Sequence, residues 1–100
     1  MKLQAAFIFL VDDADEKTRA VVSTPSIDLQ VIGCKNYAEA IMATKRCVDS
    51  GVTGIELCAG FGNVGIAQIQ QAAGDDVAVG AVKFDLHPAF GFKSGDSCFL

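Results

Sequence analysis

The 100-residue sequence is 51% hydrophobic and 20% charged, and its formal net charge is −4. This length and composition predict one globular domain over residues 1–100 with a single core. Because the chain is acidic and has no run of Lys or Arg, we expect neither nucleic acid nor an anionic membrane as a partner.

The N-terminal segment is apolar but lacks the pattern of a signal peptide. Residues 3–11 are followed at once by acidic residues and by no small-residue cleavage site. The four cysteines form no C-x-x-C pair, so we expect neither a disulfide framework nor a zinc site. They are Cys34, Cys47, Cys58 and Cys98. These features predict a cytoplasmic protein with reduced thiols.

The first segment predicts a buried strand followed by a short helix. Residues 3–11 are almost continuously apolar, as in a central strand that is buried on both faces. Asp13 and Glu16 have the spacing of a capping box, which predicts a helix over residues 14–22. Pro25 would end this helix.

The next segment predicts a second strand and the best-defined helix. Residues 27–32 alternate apolar with polar side chains, which is typical of a half-exposed strand near a sheet edge. Asn36 and Glu39 form another capping box, and apolar residues then recur at helical spacing up to Gly51.

The central stretch, residues 53–63, predicts a strand, a glycine turn and a helix start. Ile55–Cys58 is a short apolar run, and Gly60 and Gly62 follow where the backbone must turn. Asn63 has the position of an N-cap, and the apolar helical pattern after it ends at Gly74.

The last segments predict a fourth strand and an irregular tail. Residues 77–84 are rich in β-branched residues, as in a buried strand. Residues 85–100 contain Pro88, glycines and scattered aromatic residues without a helical period. We expect this tail to lie along the surface of the domain or of a neighbour.

The predicted elements alternate as βαβαβαβ, which indicates an α/β domain with a four-stranded, mainly parallel sheet. We expect the strand order 2-1-3-4, a shortened flavodoxin-like or Rossmann-like arrangement, because the most apolar strand belongs at the centre. A half (βα) barrel is the alternative. In an open sheet of this kind, ligands bind beyond the carboxyl ends of the strands.

A small anion is the first candidate ligand for that edge. The predicted helix starts carry backbone N–H groups and a positive dipole end, which favour a phosphate or a carboxylate. The candidate binding residues are Lys35, Asn36, Gly60, Phe61, Gly62 and Asn63. Residues 60–65 also match G-x-G-x-x-G, the dinucleotide fingerprint, but a purely structural turn is the favoured interpretation because the chain is too short for a second mononucleotide half.

A thiol- or metal-dependent enzyme is the second hypothesis. Cys58 lies near a helix start, which lowers the pKa of a thiol, and His87 is a candidate base. Asp85 and His87 alternate at a strand end but supply only two ligands for a metal. Glu56 is a carboxylate in an apolar strand, for which Lys83 is a candidate partner. The alternative for Cys58 is a buried structural thiol, and for Glu56 a structural pairing with Lys83 stands beside a general-base role.

The sequence also resembles a known family over essentially its whole length. The resemblance rests on Met1–Phe9, on residues 51–63 with I-E-L-C and G-F-G-N, and on the closing F-D, H-P and K-S-G-D motifs. The chain is similar to the small bacterial proteins catalogued as domain of unknown function 6506. That resemblance implies a stand-alone cytoplasmic domain and assigns no activity, cofactor or catalytic residue.

Assembly is the third hypothesis. In the predicted topology only the short first helix covers one face of the sheet, so apolar side chains on that face need another cover. We therefore expect a homo-oligomer, most simply a dimer, whose tail aromatics cross onto the other copy and bring His87 or Asp96 towards its site.

Overall fold

A computed structural model describes residues 2–100, which fold around one central strand. The strands are β1 Leu3–Leu10, β2 Arg19–Ser23, β3 Ile27–Cys34, β4 Gly54–Leu57 and β5 Ala78–Ala81. The helices are α1 Tyr37–Asp49, α2 Asn63–Ala73 and the short α3 Gly95–Phe99, which follows a 3-10 turn at Pro88–Phe90. Within this described range, no helix is long and apolar enough to cross a membrane.

The five strands form one mainly parallel sheet in the order β2-β3-β1-β4-β5. β1, β3, β4 and β5 run parallel, and β2 pairs antiparallel with β3. The order among the four parallel strands is the expected one, but the predicted strand count of four was wrong. The molecule is a mixed α/β domain with an additional antiparallel edge strand.

The additional strand replaces the helix predicted over residues 14–22. Arg19–Ser23 pairs with Ile27–Cys34 as a hairpin. The Thr24 N–H closes the hairpin by donating to the Ile27 carbonyl (2.9 Å). Two adjacent valines in this segment favour a strand over a helix. The supposed capping box does not form, because the Asp15 carboxylate instead accepts from the Lys17 N–H in a tight turn.

Both long helices pack on one face of the sheet. Alternate residues of β1, namely Ala6, Ile8 and Leu10, point into this layer and are buried. They form one core with the inward residues of β3, β4, α1 and α2, including Ile69 of α2, which is fully buried. The core therefore lies between the sheet and a single helix layer.

The opposite face of the sheet carries no helix within residues 2–100. Its outward apolar residues, here called the helix-free face, are Ala5, Phe7, Phe9, Ala20, Val22, Leu29 and Val31. The β1 and β3 members are half-buried, and the β2 members are exposed. The expectation that β1 is buried on both faces was therefore wrong, because the helix that was to cover the second face does not form.

Of the two remaining strands with an expected burial, β5 differs from the expectation and β3 agrees with it. β5 covers Ala78–Ala81, half of the predicted strand, and it is a largely exposed edge strand. The half-exposed character expected for residues 27–32 is observed in β3, where Ile27 to Val31 are half-buried.

Near the amino end of β3, Asp28 accepts hydrogen bonds from Lys2 (2.8 Å), Gln4 and Ser23. These bonds lower the pKa of Asp28.

Candidate functional site

A large cavity lies at the carboxyl ends of the parallel strands, and we call it the strand-end cavity. Its volume is about 930 Å³. Its walls come from the ends of β1 and β3, the start of α1, the turn after β4 and the C-terminal segment. The principal lining residues are Leu10, Asp12, Lys35, Asn36, Cys58, His87, Phe90 and Phe99.

The start of α1 forms the polar wall of this cavity. The Asn36 side chain caps the helix by accepting from the Glu39 N–H (2.9 Å), as the sequence predicted. Lys35 pairs with Glu39 at 3.6 Å, and both side chains are about half exposed (52% and 43%). Helix geometry leaves the N–H groups of Tyr37 and Ala38 without an intrahelical acceptor, since the first α1 backbone bond runs from Ala40 to Asn36.

The start of α2 is closed by a carboxylate from the C-terminal segment of the same chain. Asp96 of α3 accepts hydrogen bonds from the N–H groups of Val64 (2.9 Å) and Gly65 (3.1 Å). Asn63 was expected to cap this helix, but it is the first helical residue and is exposed, and the capping position is Gly62. The anion favoured at this helix start is therefore supplied from within the molecule.

Tyr37 connects the two helix starts. Its hydroxyl donates to Asp96 (2.7 Å) and accepts from the Gly62 N–H (3.0 Å), while its buried ring stacks on Phe61 at 5.7 Å. Burial raises the pKa of Tyr37, which keeps the hydroxyl protonated and able to donate. Burial acts to raise the pKa of Asp96, but hydrogen bonds from Val64, Tyr37 and Gly65 together hold it below its usual value.

The glycines of the G-x-G-x-x-G stretch make room for these internal contacts. A Cβ atom on Gly65 would lie 2.4 Å from the Tyr37 ring, and one on Gly62 would lie 2.4 Å from the Asp96 carboxyl carbon. A Cβ atom on Gly95 of α3 would overlap the Gly60 carbonyl oxygen, so this position also has no room for a side chain. The glycine pattern thus serves the docking of α3 and Tyr37 against the turn, in line with the structural interpretation of the motif.

Two of the four candidate catalytic residues lie at the strand-end cavity. Cys58 is half-buried in its wall, and its Sγ accepts from the Gly60 N–H at 3.3 Å. His87 lines the same cavity and stacks on Phe90 with ring centroids 4.2 Å apart. Its Nδ1 accepts from the Ala89 N–H, so the proton of the neutral ring lies on Nε2.

The other two candidates lie elsewhere. Asp85 is outside the cavity lining, is strongly exposed, and pairs with Lys83, which lowers the pKa of Asp85. Glu56 lies mid-strand in β4, exposed on the side of the helix-free face and beside Phe7 in the register. Lys83 was expected to pair with Glu56, but it pairs with Asp85. The structure does not bring Asp85 or Glu56 together with Cys58.

The four cysteines are free thiols in different surroundings. Cys34 and Cys47 are buried in the core, and burial raises the pKa of Cys34 to about 11 and also raises that of Cys47. Cys98 is exposed and lines the strand-end cavity with Cys58. Across residues 2–100, no three side chains of His, Cys, Asp or Glu come together in a cluster that would hold a metal ion.

Sequence reasoning missed the contribution of the C-terminal segment to the site. Phe90 and Phe99 line the cavity and meet edge to face at 5.3 Å, and Asp96 closes α2. His87 and Asp96, which were expected to reach another copy, lie at the strand ends of their own chain. The available signal was local: Ser94 caps α3 by accepting from the Asp96 N–H, a Ser-x-Asp pattern that the aperiodic tail obscured.

Comparison with known proteins places the chain in a family but supplies no activity. A search of curated proteins and a search of solved structures each returned no match. A family model described as a family of unknown function, DUF6506, matches residues 3–97 of the 100-residue chain. The chain therefore belongs to the DUF6506 family of unknown function.

Proposed function

We propose that the protein binds a small anionic molecule, a phosphate or a carboxylate compound, in the strand-end cavity. The observation that carries this proposal is a cavity of about 930 Å³ whose wall contains Lys35 and the start of α1. Ligand pockets commonly have volumes of ~300–1,000 Å³. The parallel order β3-β1-β4-β5 supports a shortened flavodoxin-like arrangement, in which ligands bind at this edge.

The anionic group of the ligand would bind at the start of α1. There the N–H groups of Tyr37 and Ala38 lie next to Lys35, and the helix dipole favours negative charge. The equivalent groups of α2 already bind Asp96. Of the six candidate binding residues, Lys35, Asn36 and Gly60 line the cavity, whereas the side chain of Phe61 is fully buried behind it.

Lys35 is available to such a ligand at low cost. Its pairing with Glu39 is long, at 3.6 Å, and exposed, and exposed ion pairs contribute only about 0–1 kcal/mol. A phosphate or carboxylate bound at the helix start would offer Lys35 a second partner with several acceptor oxygens. The Lys35 side chain therefore supports anion binding without a change in the fold.

The rest of the lining indicates what else the ligand carries. Phe90 and Phe99 offer aromatic surface, and Leu10 adds an aliphatic contact. The Asp12 carboxylate is suited to accept from a hydroxyl or an amino group. We infer a ligand that combines one anionic group with an apolar body and at least one hydrogen-bond donor.

A thermal-shift screen tests the proposal. Inorganic phosphate, phosphorylated metabolites, nucleotides and small carboxylates are added at millimolar concentration to wild type, Lys35→Ala and Lys45→Ala. Lys45 is the matched control, since it is exposed on α1 and does not line the cavity. A ligand at ten times its Kd stabilises the folded state by about 1.4 kcal/mol. We expect a shift in wild type and Lys45→Ala that is lost in Lys35→Ala, and no shift with any compound would contradict the proposal.

Thiol chemistry is the second candidate function, because Cys58 and His87 line one cavity and the Gly60 N–H donates to Cys58 Sγ. A cysteine with a neighbouring base is a recurring nucleophilic arrangement, and His87 lines the same cavity as Cys58. Reduced thiols also support a cytoplasmic location. Iodoacetamide labelling followed by mass spectrometry tests this function. Cys58 should react faster than exposed Cys98, and a Cys58 rate no higher than that of a denatured-state thiol would remove this candidate.

A further inference from the structure

We propose that the helix-free face of the sheet is the interface of a homodimer, in which it packs against the same face of a second copy. This inference is independent of ligand binding, because the strand-end cavity lies at the carboxyl edge of the sheet and not on this face. The strand register aligns Phe7 of β1, Val31 of β3 and Ala20 of β2 across three neighbouring strands. Their neighbours Ala5, Leu29 and Val22 form a second such row.

No helix or tail segment covers this face in the part of the chain that the structure describes. The tail packs instead at the strand ends, where Asp96 binds α2 and Phe99 packs 5.9 Å from Tyr37. A Cβ atom added to Gly54 or to Gly80 would meet no atom within 4 Å, which shows open space above β4 and β5 as well. Apolar strands in mainly parallel sheets are normally covered on both faces.

The charge pattern makes the helix-free face the place where two copies can meet. Each chain carries a net charge of −4, so two copies repel across most of their surfaces. The outward residues of β1, β2 and β3 on the helix-free face are uncharged, so two such faces meet without placing like charges opposite each other. Glu56, on β4, lies to one side of this apolar area, where it stays at the rim in a two-fold arrangement.

The size of the face is adequate for a weak dimer. With ~3.3 Å per residue along a strand and ~4.8 Å between strands, the 8, 5 and 8 residues of β1, β2 and β3 present roughly 330 Å² of planar area. Two copies together bury roughly 670 Å² of planar area, and the relief of protruding side chains leaves the total below the ~1,200 Å² of standard-sized interfaces, in the range of weak complexes. The expected assembly is therefore a dimer with measurable dissociation.

Adjacent valines on β2 provide a matched test. Val22 points to the helix-free face and is 55% exposed, whereas Val21 points to the other side of the sheet and is 63% exposed. Lysine at position 22 would place two positive charges in a dry interface, and lysine at position 21 would stay in water. Because both positions are exposed within one chain, both variants are expected to fold, and a Val22→Lys, Ala20→Lys double variant strengthens the perturbation.

Sedimentation velocity over about 1 to about 100 µM measures the outcome, alongside thermal unfolding at the same concentrations. Wild type and Val21→Lys should approach twice the 10.5 kDa chain mass, with a melting temperature that rises with concentration. Val22→Lys should raise the dimer Kd by at least about tenfold, and the double variant should be monomeric. A wild type that stays at 10.5 kDa throughout, or equal dissociation of Val21→Lys and Val22→Lys, would overturn the proposal.

Discussion

Replacement of Asp96 by Ala removes the carboxylate that closes α2 and holds the C-terminal segment at the strand ends. Three hydrogen bonds are lost, from the Val64 N–H (2.9 Å), the Gly65 N–H (3.1 Å) and the Tyr37 hydroxyl (2.7 Å). Loss of a helix cap costs about 0.5–2 kcal/mol, and a hydrogen bond to a charged group contributes about 1.5–3 kcal/mol. Because water replaces part of these bonds at the exposed Val64, we expect a total loss of about 2–3 kcal/mol in the free energy of unfolding.

Thermal and urea unfolding measure this loss. For a domain of this size about 1 kcal/mol lowers Tm by about 4–8 °C, so the loss of about 2–3 kcal/mol means that Asp96→Ala should unfold about 8–24 °C below wild type. Asp96→Asn keeps one acceptor oxygen and should lose about half as much. Asp75→Ala is the control, since Asp75 is exposed beyond the end of α2 and should change stability by less than about 0.5 kcal/mol. An Asp96→Ala variant that is no less stable than Asp75→Ala would refute the stabilising role of this carboxylate.

Three further predictions concern the same contacts. Tyr37→Phe leaves the buried Gly62 N–H without its acceptor and should lower the unfolding free energy by about 1–3 kcal/mol in urea titrations, where an unchanged midpoint would contradict the assignment. Gly65→Ala should lower Tm despite the better helix propensity of Ala, because its Cβ meets the Tyr37 ring, whereas Gly80→Ala, which meets open space, should not. Because the pKa of Asp96 is lowered on folding, its ionised carboxylate stabilises the fold at pH values above the ordinary carboxyl pKa of 3.8. This stabilisation is lost as the pH falls through the lower pKa of the folded state. The difference in unfolding free energy between wild type and Asp96→Asn, followed by circular dichroism, should therefore be constant near neutral pH and shrink in acid.

The part of the fold that could be predicted is the part specified by local patterns. The capping box at Asn36 and Glu39 and the regular apolar spacing after it determine α1, and the glycine turn marks where β4 leads into α2. The near-continuous apolar character of Leu3–Leu10 placed β1 at the centre of the parallel strands. Each of these signals is contained in a short window and is reinforced by the tertiary fold.

The errors arose where tertiary pairing overrode a local signal. Asp13 and Glu16 have helix-cap spacing, but pairing of Arg19–Ser23 with β3 satisfies the backbone of the next segment as a hairpin. The loss of that helix then uncovered one face of the sheet, which no local pattern could have shown. Burial on both faces, which was inferred for β1, depends on elements far away in sequence.

The candidate site was predictable in position but not in its internal contacts. Topology placed the strand ends at one edge, and Lys35, Cys58 and His87 do line one cavity there. The bond between Asp96 and Tyr37 spans 59 residues, and nothing in either local sequence indicates the other. The glycine motif therefore suggested an external anion where the chain supplies its own.

Amide chemical shifts in a ¹H–¹⁵N NMR titration test the central claim most directly, because they report separately on the two helix starts. During titration with inorganic phosphate and with small carboxylates, the amides of Tyr37 and Ala38 should shift saturably in wild type and not in Lys35→Ala. The amides of Val64 and Gly65, which already bind Asp96, should stay in place. The account is contradicted if the Tyr37 and Ala38 amides do not respond to any anion tested, or if Val64 and Gly65 respond in their stead.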